Sequence, residues 1–131
     1  MQNYNFSLKN DIRERCYKFS LEIIKLIEKL PNKRSYKVIA DQLIRSATSI
    51  GANLFEAKAS SSRLEFKRFY EVALKSANET KYWLGLLRDT KLVDDKIISS
   101  LLDEVNEIAN MIASGVMKLK NKNFRLLNFA F

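Results

Sequence analysis

The sequence predicts an all-α protein, an antiparallel up-down-up-down four-helix bundle. Three observations lead there. Apolar residues recur at steps of three and four along four separate stretches, which is the helical period. Glycine and proline are scarce, at 3 and 1 of 131 residues, too few for the turns of an all-β chain or for long linkers. The breaks between stretches are short and polar, and long helices joined by short turns become antiparallel neighbours. A chain of this length is expected to be one domain, residues 1–131, burying roughly two-thirds of its unfolded surface without disulfide or metal staples.

The first predicted helix, about 8–30, carries Ile12, Cys16, Phe19, Ile23, Ile27 and Leu30 on one stripe. Pro31 closes it, because proline disfavours helix in the residue before it. The second, about 37–59, carries Ile39, Leu43, Ala47, Ile50, Leu54 and Ala57. Ser60, Ser61 and Ser62 interrupt the pattern. Ser62 and Glu65 then have the spacing of a capping box, in which a hydroxyl and a carboxylate satisfy free amides at a helix start. The third helix, about 63–90, carries Phe66, Phe69, Ala73, Ala77, Thr80, Leu84 and Leu87. Asp94 is placed to cap the fourth, about 95–120, with Ile97, Leu101, Val105, Ile108, Ile112, Val116 and Leu119 on its stripe. Residues 121–131 form a tail that mixes basic and aromatic side chains. Helix three is apolar on more than one face, through Tyr70, Val72, Leu74, Tyr82, Trp83 and Leu86. A second apolar face calls for a second partner, here a subunit interface.

Composition narrows the chemistry. There is no histidine, which removes the commonest general base and the commonest metal ligand. The single cysteine, Cys16, can form neither an internal disulfide nor a zinc cluster, and a free thiol suits a reducing cytoplasm. No stretch approaches the ~18 apolar residues of a membrane span. The sequence therefore predicts no enzyme, no cofactor, no metal and no membrane partner. The net charge is +8, from 23 basic and 15 acidic residues. It is uneven: residues 92–115 carry one base and five acids, and residues 116–131 carry four bases and no acid. Such an excess fits either a polyanionic partner or a merely solvated surface.

Two constellations stand out. Helix two presents Arg45, Ser49, Asn53 and Glu56 at steps of 4, 4 and 3; helix three presents Arg68, Glu71, Lys75 and Glu79 at steps of 3, 4 and 4. Folded antiparallel, Arg45–Glu79, Ser49–Lys75, Asn53–Glu71 and Glu56–Arg68 share the index sum 124. Two readings stay open: two solvated faces, or a registered polar ladder within a subunit or across an interface. A catalytic role is the poorer reading, because no nucleophile, metal cluster or phosphate loop accompanies the glutamates. The second constellation is a basic end. Up-down-up-down order brings the N-terminus, the turn between helices two and three, and the C-terminus together. That end holds eleven bases, Lys9, Arg13, Arg15, Lys58, Arg63, Lys67, Arg68, Lys118, Lys120, Lys122 and Arg125, against Asp11, Glu14, Glu56 and Glu65, a net +7. Lys58, Arg63, Lys67, Lys118, Lys120, Lys122 and Arg125 are the candidate nucleic-acid contacts. Tyr4, Phe6, Phe66 and Phe124 lie among them, to stack on bases or to pack in the core.

Three segments carry a family resemblance: Asp41–Glu56 (DQLIRSATSIGANLFE), Ser62–Phe69 (SRLEFKRF) and Ala73–Leu84 (ALKSANETKYWL). In this order they resemble the four helix bundle proteins, also known as 23S rRNA intervening-sequence proteins, over about residues 10–120. The resemblance implies a bundle that assembles into a five-membered ring. The family includes reading frames within intervening sequences of large-subunit rRNA genes. It also includes the basic accessory protein of diversity-generating retroelements, which binds nucleic acid and engages a reverse transcriptase. The family often has proline where Gly51 stands, alanine at Phe55 and glycine at Ala57; Gly51 is expected to permit a bend. The combined expectation is a non-enzymatic, cytoplasmic homo-oligomer, a pentamer by resemblance, that binds RNA or DNA non-specifically through its basic end. The alternative is an adaptor for a partner protein, such as a reverse transcriptase, with no direct nucleic-acid contact.

Overall fold

The computed structural model describes residues 11–120. Four helices follow one another: α1 (Ile12–Glu28), α2 (Arg34–Lys58), α3 (Arg63–Asp89) and α4 (Asp95–Lys120). Each packs on its neighbours in sequence, and α1 closes the bundle against α4. The diagonal pairs do not meet, so the helices stand at the corners of a square around one core.

The core follows the predicted stripes. Cys16, Phe19 and Ile23 of α1, Leu43, Ala47, Ile50 and Leu54 of α2, Ala73, Ala77, Leu84 and Leu87 of α3, and Leu101, Val105, Ile108 and Ile112 of α4 are buried together. Leu26, Tyr36 and Ile98 join them, although the stripes had Ile27, Ile39 and Ile97, each half-buried, at these levels. The helical period fixes a face but leaves its edges open by one residue.

Helix ends follow local chemistry. Ser62 Oγ accepts the Glu65 amide at 3.1 Å, and Glu65 Oε1 accepts the Ser61 amide at 2.9 Å. This is the expected capping box, its carboxylate reaching one residue further back. Asp94 Oδ1 accepts the Lys96 amide at 2.9 Å. Helix α1 starts from Asp11, whose carboxylate accepts the Arg13 amide at 2.8 Å. Three boundaries differ from expectation, the first being the start of α1 at Ile12 behind Asp11 rather than at about 8. Helix α1 ends at Glu28, before Pro31 acts, and α2 begins at Arg34 rather than 37 behind Lys33, which makes no side-chain cap bond. Burial of Tyr36 extends the first turn of α2 where no cap announces it. The turn between α3 and α4 holds Lys91 at φ 63°, a left-handed residue of the kind that commonly follows a helix end.

The α2–α3 seam is narrow and polar. Ala47, Ala73 and Ala77 are fully buried, and so is Thr80. The Thr80 hydroxyl lies 2.8 Å from the Ser76 carbonyl and 2.9 Å from Ser46 Oγ. Ser76 Oγ donates to Ser49 Oγ at 2.9 Å. Each of these seam hydroxyls thus has a partner, as burial of polar groups demands. On the other side of α2, Gly51 meets Cys16: a Cβ built on Gly51 would lie 3.1 Å from Cys16 Cβ. Gly51 permits the close approach of α1, and α2 runs unbroken through it.

Candidate nucleic-acid interface

The helix order brings four helix ends to one pole of the bundle. Three contacts close it. The Arg63 guanidinium donates to the Leu119 carbonyl, tying the first residue of α3 to the last turn of α4. Arg13 of α1 sits over the Phe55 ring of α2, 5.6 Å from its centroid. Asp11, Arg13, Lys58, Phe66 and Met111 line one pocket there. Tyr70 stacks on Phe66 at the same place, with ring centroids 5.0 Å apart and planes 17° from parallel.

Several cations of this pole are engaged within the fold. Arg13 forms a forked pair with Asp11, through Nε at 3.2 Å and Nη2 at 2.9 Å. The Arg13 hydrogen bond holds the Asp11 carboxyl below its ordinary range, and the same bond raises the guanidinium. Arg15 turns toward α4, donating to Glu104 at 2.9 and 2.8 Å and to Glu107 at 2.9 Å. Those carboxylates push its ionisation further up. Lys67 lies 3.8 Å from Glu71. Arg63 fills the role of a C-terminal cap, since the last carbonyls of α4 lack helical donors. Lys58, Arg68, Lys118 and Lys120 are exposed. Lys122 and Arg125, with Lys9, Tyr4, Phe6 and Phe124, lie outside the described residues.

Over the described residues the pole carries Arg13, Arg15, Lys58, Arg63, Lys67, Arg68, Lys118 and Lys120 against Asp11, Glu14, Glu56 and Glu65, a net +4. The opposite pole, from the α1–α2 and α3–α4 turns, has Lys29, Lys33, Arg34, Lys37, Arg88, Lys91 and Lys96 against Glu28, Asp89, Asp94 and Asp95, a net +3. The contrast between poles within residues 11–120 is therefore smaller than the +7 read from the whole sequence.

The polar ladder takes a different form from the one expected. The bonded pairs across α2 and α3 are Ser49–Ser76 and Ser46–Thr80, with index sums 125 and 126 rather than 124. Ser49 meets Ser76, not Lys75. Asn53 turns back along α2, donating to the Ser49 carbonyl and hydroxyl at 2.8 and 2.9 Å. Glu71 pairs with Lys67 on its own helix, and Glu79 accepts from Trp83 Nε1 at 3.5 Å. Arg45, Glu56, Arg68 and Lys75 form no ion pair among the described residues. The physical reason is size. Short hydroxyls and alanines let the two backbones close, while long charged side chains gain little from pairing in water. The excess apolar surface of α3 is likewise half absorbed: Tyr70, Leu74 and Trp83 pack on the core, and Val72, Tyr82 and Leu86 remain exposed.

The seam hydroxyls Ser46, Ser76 and Thr80 escaped the charge-based search for a ladder. Their signal was present in the sequence as small residues at helical spacing opposite one another. Cys16 is buried, and burial pushes its thiol up to about 12, so it is inert near neutrality. Among the described residues no group of three His, Cys, Asp or Glu is placed to hold a metal ion, and no helix is long and apolar enough to cross a membrane.

Comparison with known proteins agrees with this architecture. No curated protein matches the chain. A solved structure from Bacteroides thetaiotaomicron VPI-5482, described as a protein of unknown function from the S23 ribosomal protein family, is 35% identical. It superposes with a TM-score of 0.75, covering 80% of this chain and 97% of that one. Residues 8–114 match the profile of the 23S rRNA-intervening sequence protein. Fold, order of motifs and profile agree, and the chain belongs to the 23S rRNA-intervening sequence protein family.

Proposed function

We propose that this protein is a non-catalytic, self-associating helical bundle that binds nucleic acid through the pole where α1 starts, α2 ends, α3 starts and α4 ends. The observation that carries this reading is the set of exposed cations Lys58, Arg68, Lys118 and Lys120 on the helix ends gathered there. The pole's acids are largely occupied: Asp11 by Arg13, Glu14 by Lys18 at 3.5 Å, and Glu65 by the Ser61 amide. Cations in excess neutralise phosphates, and released counterions drive the binding. With no helix presented for a groove, base contacts contribute little sequence preference.

Self-association rests on the exposed apolar residues Val72, Tyr82 and Leu86 of α3, flanked by Arg45, Glu56, Arg68 and Lys75. A ring of copies would place several cationic poles side by side and multiply the attraction for a polyanion.

The test compares charge reversals at the two poles. Lys58, Lys118 and Lys120 changed together to glutamate should weaken binding of a labelled RNA or DNA at 0.1 M salt by at least tenfold. The particle mass by light scattering should stay as in wild type, a multiple of 15.2 kDa. Lys33, Arg34 and Lys37 changed together should weaken it far less. Equal losses would mean diffuse attraction without a site. No binding by wild type at low salt would favour the adaptor reading, in which a partner protein takes the place of nucleic acid.

A further inference from the structure

The first turn of α2 buries a polar atom that the fold leaves unmatched. Tyr36 is 5% exposed and belongs to the core. Its hydroxyl is itself buried and has no hydrogen-bond partner among the described residues. The hydroxyls of Ser46, Ser76 and Thr80 are the contrast, since each is bonded within the fold. A buried hydroxyl without a partner has lost its water and gained no bond, a cost that exceeds the benefit of an ordinary hydrogen bond. Phenylalanine would fill nearly the same space without that cost. The oxygen of Tyr36 therefore has something to offer a partner from outside the fold.

A pocket adjoins it. Tyr36 lines a concavity of about 420 Å³ between the end of α1 and the first two turns of α2. A helical side chain leans toward the N-terminal end of its helix, and for Tyr36 that is the turn where Leu30 and Pro31 stand. Ile27, Leu30, Pro31 and Ala40 make most of the remaining wall apolar. Lys37 and Asp41, one turn apart on α2, are the exposed charges of the lining. They form no ion pair among the described residues, and their charges cancel. An apolar concavity with a few fixed polar groups is the usual form of a small-ligand site, and ~420 Å³ lies at the small end of such pockets.

We propose that this pocket binds a neutral small molecule made of an apolar ring and one hydrogen-bonding oxygen. The ring covers Ile27, Leu30, Pro31 and Ala40, and the oxygen pairs with the Tyr36 hydroxyl. A net charge on the ligand would meet as much repulsion as attraction from Lys37 and Asp41 and would lose its own hydration. The site lies at the pole opposite Lys58, Arg68, Lys118 and Lys120, so it goes beyond the nucleic-acid reading and does not depend on it.

The experiment titrates the isotope-labelled full chain with three probes that share one ring: p-cresol, toluene and p-toluate. Amide chemical shifts of residues 27–41 report occupancy. p-Cresol should move them saturably and bind about three- to tenfold tighter than toluene, the scale of one hydrogen bond. p-Toluate should bind more weakly than p-cresol. Tyr36→Phe should leave toluene binding unchanged and remove the advantage of p-cresol. The comparison of probes on the wild-type chain needs no variant, so it stands even where the substitution disturbs the first turn of α2. Equal affinity for p-cresol and toluene in the wild type overturns the role of the Tyr36 hydroxyl. Tighter binding of p-toluate than of p-cresol overturns the neutral class of ligand. No saturable shift in residues 27–41 with any probe overturns the site itself.

Discussion

Gly51 shows how much a single position depends on a neighbour that the sequence does not name. Alanine in place of a helical glycine ordinarily gains about 1 kcal/mol of helix propensity. Here the added methyl would meet Cys16 Cβ at 3.1 Å, and a Cβ cannot move without its backbone. Overpacking of this kind costs about 1–3 kcal/mol. Gly51→Ala should therefore lower stability by about 1 kcal/mol despite better propensity, read as the shift in a denaturant midpoint. A gain of stability would show that α1 is free to move away. Glycine at this position was visible in the sequence, but its cause was not, because the facing residue sits 35 positions earlier on α1. Cys16 by contrast was read correctly as an apolar position from its place on a stripe.

At the scale of an element, the legible boundaries were those with a side-chain cap. Ser62, Glu65 and Asp94 act within three or four residues of themselves, so a sequence carries the whole interaction. The start of α2 was missed because Lys33 makes no such bond, and Tyr36 is held by tertiary burial instead. Within the subunit, the α2–α3 seam takes a register other than the charged ladder for a related reason. Charge complementarity selects among registers only where the charges are desolvated, and here the hydroxyls of Ser46, Ser49, Ser76 and Thr80 lie closer to the contact. Helix α1 offers a test through its N-cap. The Arg13 hydrogen bond holds the Asp11 carboxyl below its ordinary value of 3.8. A group lowered in the folded state contributes stability above its unfolded value and loses it as pH falls through the folded one. Asp11→Asn keeps an oxygen for the Arg13 amide and discards the charge. It should be less stable than wild type at pH 7 by up to about 1 kcal/mol, and the gap should close on acidification below about pH 4. A gap that persists to pH 2 would show that the Asp11 charge does not stabilise α1.

The whole molecule was legible as a bundle because every stripe is long and every turn short, so each helix packs antiparallel on the next and the fourth closes on the first. The gathering of four helix ends at one pole followed from that order, since topology dictates it. What topology could not give was the fate of each cation. Arg15 is drawn toward Glu104 and Glu107 across the α1–α4 gap, and Arg63 toward the α4 terminus, contacts between residues 56 to 92 positions apart. The surface cations of this pole, Lys58, Arg68, Lys118 and Lys120, set the expectation for binding. Four cations on a single strand correspond to a slope of log affinity against log salt near −3, steeper if neighbouring copies contribute. Titration of the wild-type protein with a labelled single strand between 0.05 and 0.3 M salt measures that slope directly. A slope of about −3 or steeper is the predicted result, and a slope near zero, with affinity indifferent to salt, would contradict a phosphate-binding pole.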